Sequence, residues 1–99
     1  MIRPAFREKS VAETQILTFD FLSLLALGES ISSASTVAAV YSGTDSTPAA
    51  LISGATTIAG SKVTQKVVGG VAGVMYTITC TATTSTGQVL AQSGYLVVR

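Results

Sequence analysis

The side chains able to do chemistry in this sequence are few and far apart. Histidine is absent, which removes the commonest general base and the commonest metal ligand together. A lone cysteine, Cys80, leaves no set of thiolates for structural zinc and no partner for an intramolecular disulfide. The carboxylates Asp20, Glu29 and Asp45 are scattered, without the close spacing of a calcium loop. Asp45, between Gly43 and Ser46, reads as a turn residue bonding its own backbone rather than an ion ligand. The glycine run GGVAG at 69–73 lacks the Lys-Ser/Thr tail and the following helix that make a phosphate cradle. It reads as a connection between strands. Lys62 and Lys66, with Thr64 between them, share one strand face and form at most a weak basic edge; blunting an exposed sheet edge explains them equally well. The residue types therefore point to no catalytic, cofactor or metal site.

The elements that carry these residues are strands. From Gly60 to Val98 apolar and polar residues alternate with period two: Val63/Gln65/Val67, then Tyr76/Ile78/Cys80/Ala82 against Thr77/Thr79/Thr81/Thr83, then Tyr95 to Val98. A strand sends successive side chains to opposite faces, so threonine at every second position marks a wet face backed by a packed one. Cys80 falls in the inward register and is expected to be a buried free thiol. Tyr41, Tyr76 and Tyr95 are all assigned to the core by parity. Gly69-Gly70, Gly73 and Gly87 supply the backbone angles of tight reversals, and Thr84 to Gly87 makes a hairpin. Gly94 predicts a bulge or a close backbone approach in the last strand.

Earlier in the chain the pattern is weaker. Thr14 to Leu25 fits strand alternation through Leu17, Phe19 and Phe21 and also a helical stripe; a strand to Phe21 followed by a turn or helical bend is the favoured reading. Gly28-Glu29 opens a second strand in which Ile31, Val37, Ala39 and Tyr41 share a parity, with room for a bulge at Ser32 to Ser35. Ser42 to Pro48 is a surface loop. Leu51-Ile52 and Thr56 to Ile58 read as two short strands around Gly54. That totals about seven strands, the signature of an immunoglobulin-like antiparallel β-sandwich, with a small closed barrel as the structural alternative. The class is all-β.

Composition sets further bounds. The chain has 99 residues, 47% hydrophobic and 11% charged, with a net charge of +1. One domain is expected, and the absence of a basic footprint argues against nucleic acid as a partner. The longest apolar stretch, Ile16 to Leu27, is interrupted by Asp20 and is short of a membrane span. Glu8 and Glu13 among the basic residues argue against a secretory leader. Residues 1–12 show neither period and read as an extended N-terminal arm, ahead of a sandwich over 13–99. The arm reads either as a frayed terminus or as an extended segment that orders on a neighbouring subunit, in which case Phe6 is the candidate anchor and Arg3, Arg7 and Lys9 are candidate rim contacts.

One string is more specific: Asp20-Phe21, Leu25, Gly28-Glu29-Ser30-Ile31, Ser53-Gly54, Val63, Gly69-Gly70, Gly73, Tyr76-Thr77, Thr81 to Thr84, Gly87 and Leu96-Val97-Val98. Over Thr14 to Arg99 it resembles a family of small structural proteins of tailed bacteriophages, the fiber-tail adaptors. The resemblance implies a non-enzymatic virion component without cofactors, assembled in the host cytoplasm. Its implied partners are other virion proteins of tail, neck or fiber, contacted repeatedly through a homo-oligomeric ring, with no nucleic acid and no membrane. The alternative is a capsid decoration or host-surface, glycan-binding adhesion domain. A small secreted enzyme or inhibitor is disfavoured by the missing histidine and disulfides.

Overall fold

The computed structural model describes residues 6–99. Six strands form two three-stranded antiparallel sheets: β1 (Thr14–Asp20), β4 (Lys62–Val68) and β3 (Ile52–Ala59) in one, and β2 (Ile31–Ser42), β5 (Met75–Thr84) and β6 (Val89–Val97) in the other. Their spatial orders, β1-β4-β3 and β2-β5-β6, make a two-layer antiparallel β-sandwich of six strands among the described residues. The expected seventh strand does not exist as a separate element. Leu51-Ile52 and Thr56 to Ile58 are not two strands: Leu51 ends a short 3-10 turn, and Ile52 to Ala59 is one strand with a register jump between Ser53 and Thr57. The pattern around Gly54 looked like a break because a bulge interrupts alternation as a turn does.

The two inner faces bury Leu17, Phe19, Phe21, Val63 and Val67 against Tyr76, Ile78, Cys80, Ala82, Leu96 and Val98, with Leu51 closing one end. This is the alternation of β4 and β5 carried into three dimensions, since every second residue of β5 from Tyr76 to Thr84 is buried. Cys80 is buried and free, as its register predicts. The β1 reading also holds: the strand ends at Asp20, and a 3-10 turn over Leu22–Leu24 precedes Gly28. Gly70 sits at φ +93°, and a Cβ there would lie 2.9 Å from Val98 Cγ2, so glycine is required on both counts.

Three expectations need correction. A register shift after Ile31 turns Val37, Ala39 and Tyr41 outward, so Tyr41 is 60% exposed. Tyr95 lies on the outer face of β6 beside it, with ring centroids 4.7 Å apart, because Leu96 and Val98 take the inward parity. Of the three tyrosines only Tyr76 is core. Lys62 and Lys66 do not protect an edge: β4 is the central strand of its sheet, and both project from its outer face. Gly94 produces no bulge, since β5 and β6 pair without interruption from Met75↔Val97 to Thr83↔Val89.

Candidate functional site

Buried polar side chains are where a β-sandwich of this composition would keep chemistry, and here they serve the fold. Gln65 is 1% exposed at the centre of β4. Its Nε2 donates to the carbonyls of Ser53 (3.0 Å), Gly54 (3.2 Å) and Lys66 (3.0 Å), and its Oε1 accepts from Thr56 Oγ1 at 2.7 Å. The β3 strand shifts register between Ser53 and Thr57, and since a buried carbonyl left unpaired is costly, a long amide beside the shift supplies donors. Thr56 Oγ1 in turn lies 3.2 Å from Thr36 Oγ1 on β2. A polar seam thus joins the two sheets. Thr36 is the ladder partner of Cys80; burial pushes the Cys80 thiol up, and the Thr36 hydroxyl opposes that. A protonated, buried thiol is a poor nucleophile.

Tyr76 opens the β5 ladder with its ring in the core. Its hydroxyl donates to Asp45 Oδ2 at 2.6 Å and accepts from the Val71 amide at 2.9 Å, the tyrosine-corner device of sandwich folds. Asp45 also accepts from its own loop, at the Thr47 amide. The Tyr76 hydroxyl and that amide hold the Asp45 carboxyl below the usual range. Asp45 is therefore the turn residue expected, with a second duty to the core. Among the described residues no cluster of three metal-ligating side chains exists, and no helix is long and apolar enough to cross a membrane.

The surface is divided more sharply than the interior. One end of the sandwich, formed by residues 21–30, the β3–β4 turn and the β5–β6 hairpin, exposes Leu22 (66%), Leu24 (43%) and Leu27 (106%). Leu22 and Leu27 line a groove of about 550 Å³ together with Leu25, Gly28 and Gly60. Glu29 fixes the loop: its carboxylate accepts from the Ala26 amide at 2.9 Å and from the hydroxyls of Thr84 and Thr86, which lower its pKa. The Ala26 bond closes the leucine-bearing loop on itself and the two threonine bonds tie it to the adjacent hairpin, so the apolar side chains stand on a fixed base.

The opposite end carries most of the charge. Here Arg7 lies 3.8 Å from Glu13 and Arg99 lies 3.7 Å from Glu8. The arm runs from this end along the seam between β6 and β1. Phe6 N donates to Tyr95 O and Lys9 N to Val97 O, while Arg99 N donates to Lys9 O. Lys9 forms a parallel bridge with Val98. The Phe6 ring meets Phe19 edge-on at 5.5 Å. Lys9 is fully covered, its Nζ donating to the carbonyls of Gly69 (2.7 Å) and Ser10 (2.9 Å); burial lowers its pKa. The structure thus commits Phe6 and Lys9 to contacts within their own chain and leaves Arg7 exposed, while Arg3 lies outside the described residues. Sequence reasoning passed over the leucines of residues 22–27, whose signal was four leucines in a segment with no settled period.

Comparison with known proteins adds one finding. Residues 9–97 match the family described as podophage GP4 fiber-tail adaptor protein gp77. No curated protein and no solved structure matches the chain.

Proposed function

This chain belongs to the podophage GP4 fiber-tail adaptor family, and from that premise we propose that it joins tail to fiber through the two unlike ends of its sandwich. The family assigns a structural role in the virion of a tailed phage. The observation that supports the two-ended reading is the leucine loop. Leu22, Leu24 and Leu27 are exposed at one end, Leu22 and Leu27 lining a groove there, while the arm, Arg7, Glu8, Glu13 and Arg99 mark the other. Large side chains exposed together with a polar rim are the anatomy of a docking site. The fold spans 42 Å along its longest axis, so two neighbours can be held without touching one another. Of the arm's candidate contacts, Arg7 is the one exposed at the charged end, while Phe6 and Lys9 are engaged within the chain. Several copies around the tail make each weak contact count.

The test is a phage whose adaptor carries Leu22→Asp and Leu27→Asp, grown from a complementing host and purified. Tails are expected intact and fibers lost from the particles. Fibers at wild-type stoichiometry on the double variant would overturn the reading. The glycan-adhesion alternative has the exposed Tyr41–Tyr95 pair in its favour. The two rings are tilted by 54°, however, and so do not present the flat aromatic platform on which a sugar face stacks. Binding of the purified protein to a glycan array, lost in Tyr41→Ala, would revive it.

A further inference from the structure

We propose that the outer face of the β2-β5-β6 sheet is a docking surface for a second copy of this chain, paired face to face about a twofold axis near Thr79. None of the six basic and five acidic residues falls in β2, β5 or β6. A freely solvated surface ordinarily carries about 25–35% charged residues. Here the outward positions of the central strand are Met75, Thr77, Thr79, Thr81 and Thr83. They are flanked by Val37 and Tyr41 on β2, both 60% exposed, and by Val89 on β6 at 68%.

The chemistry of the face restricts what can cover it. A partner that pressed a charged group onto it would strip that group of water and offer no counter-charge, a cost of the kind that excludes wrong partners. The partner's surface must therefore be free of charge as well. A hydroxyl both donates and accepts, so a threonine ladder complements another copy of itself without any prescribed polarity. The opposite outer face of the sandwich does not qualify, because Asp20, Lys62 and Lys66 project from it. Face-to-back stacking would bury those charges on hydroxyls. Face-to-face pairing of the same patch is the solution left, and it is the closed, isologous kind. Thr79, opposite Val37 on one side and Ser93 on the other, lies at the middle of the patch.

Size predicts the strength. Ten residues at about 3.4 Å each and three strands at about 4.8 Å give a face of about 500 Å², against about 800 Å² for each partner of a stable complex. Pairing of the isolated protein is therefore weak and becomes firm when the tail holds several copies together. The biological setting rests on the repeated-copy reading above. The tests use the purified full-length chain alone, so their failure leaves the fiber-tail role standing, and loss of fibers in the leucine variant is judged separately.

Thr79→Cys is oxidised under mild conditions beside Thr64→Cys, which places the thiol at the middle of the opposite outer face. Buried Cys80 is common to both proteins and sets the background. Disulfide-linked dimer is expected to form at least about tenfold faster from Thr79→Cys, because only near a twofold axis do two copies of one residue approach within bridging distance. Equal rates, or a faster Thr64→Cys, would overturn the proposal. Sedimentation equilibrium supplies an independent reading. Ala91→Lys, an exposed position on β6, is expected to raise the dimer dissociation constant at least about tenfold, and Thr64→Lys to leave it unchanged. A wild-type protein that stays monomeric up to about 1 mM, or a folded Ala91→Lys that associates like wild type, sinks it.

Discussion

The two sheets of this sandwich differ on both of their faces. In β2-β5-β6 the β5–β6 ladder is unbroken over its whole length, the inner face is almost wholly apolar, and the strands themselves carry no charged residue. In β1-β4-β3 the β3 strand bulges, a buried glutamine is needed to satisfy the bulge, and Asp20, Lys62 and Lys66 stand outside. Alternation is common to both and decides only which side chains go in. What the outer side chains are decides what the face can touch. The sheet with the charged exterior is built as a surface for water, and the sheet with the hydroxyl exterior as a surface for protein.

The largest effect that sharpens this contrast is expected from the interior. Ile78→Ala, at the middle of β5 with no exposure, should cost about 3–5 kcal/mol through lost burial and the cavity left behind. Gln65→Ala, at the matching place in β4, should cost about 2–3 kcal/mol, because the Ser53 and Gly54 carbonyls and the Thr56 hydroxyl lose their partner inside the protein. Urea unfolding of both variants measures the difference. If Gln65→Ala costs under about 0.5 kcal/mol, the bulge carbonyls reach water and the polar seam is not a structural requirement.

A smaller loss is expected at the corner where β5 begins. Tyr76→Phe keeps the ring and removes the two hydrogen bonds of the hydroxyl, which should cost about 1–2 kcal/mol. The same corner makes stability depend on pH. Asp45 has its carboxyl pKa lowered, first by the Tyr76 hydroxyl and then by the Thr47 amide. A depressed carboxylate contributes stability that is complete above its unfolded value and is lost as pH falls through its folded one. Stability should therefore fall below about pH 4, and Asp45→Asn should flatten part of that fall. Glu29 and Glu13, depressed by their own hydrogen bonds, account for a further part. Thermal melts between neutral and acid pH test the sign: an Asp45→Asn protein with an undiminished acid slope removes Asp45 from the account.

How much of this was legible in the residues follows the same divide. β4, β5 and the hairpin at Thr84 to Gly87 were readable because inward residues (Val63/Gln65/Val67, Tyr76/Ile78/Cys80/Ala82) alternate there with outward polar ones, and period two is the primary strand signal. The parity of β2 was not, since the shift between Ile31 and Ser33 falls among serines and alanines that fit either face. It carried Tyr41 from the expected core to the surface. Tyr95 was misplaced for a related reason: in an apolar run such as Tyr95 to Val98 the pattern does not say which parity faces in, and the aliphatic residues won. Gln65 stood in the inward register from the outset, but its purpose depends on a bulge in another strand. The docking surfaces were hidden more deeply. The leucines of residues 22–27 look like core in a sequence, and an uncharged face becomes visible only when β2, β5 and β6, far apart in the chain, are laid side by side.

The smallest change asks whether charge is what separates the two faces. Lys62 and Lys66 make no ion pair among the described residues, although Lys62 is the ladder partner of Asp20. Exposed side chains without a cap, a buried partner or a core contact are worth little, so Lys62→Thr with Lys66→Thr should change stability by less than about 0.5 kcal/mol. The double variant extends the Thr18, Thr64 and Thr57 row into a second hydroxyl face, with Asp20 as its last charge. If charge is what keeps the β1-β4-β3 face out of contacts between copies, the variant should associate more strongly than wild type, and more weakly again once salt-insensitive pairing through β2-β5-β6 is blocked by Ala91→Lys. Association unchanged by the double substitution would mean that the irregular, bulged shape of that face excludes it, since a flat and regular sheet is the better template for a matching surface whatever its charge.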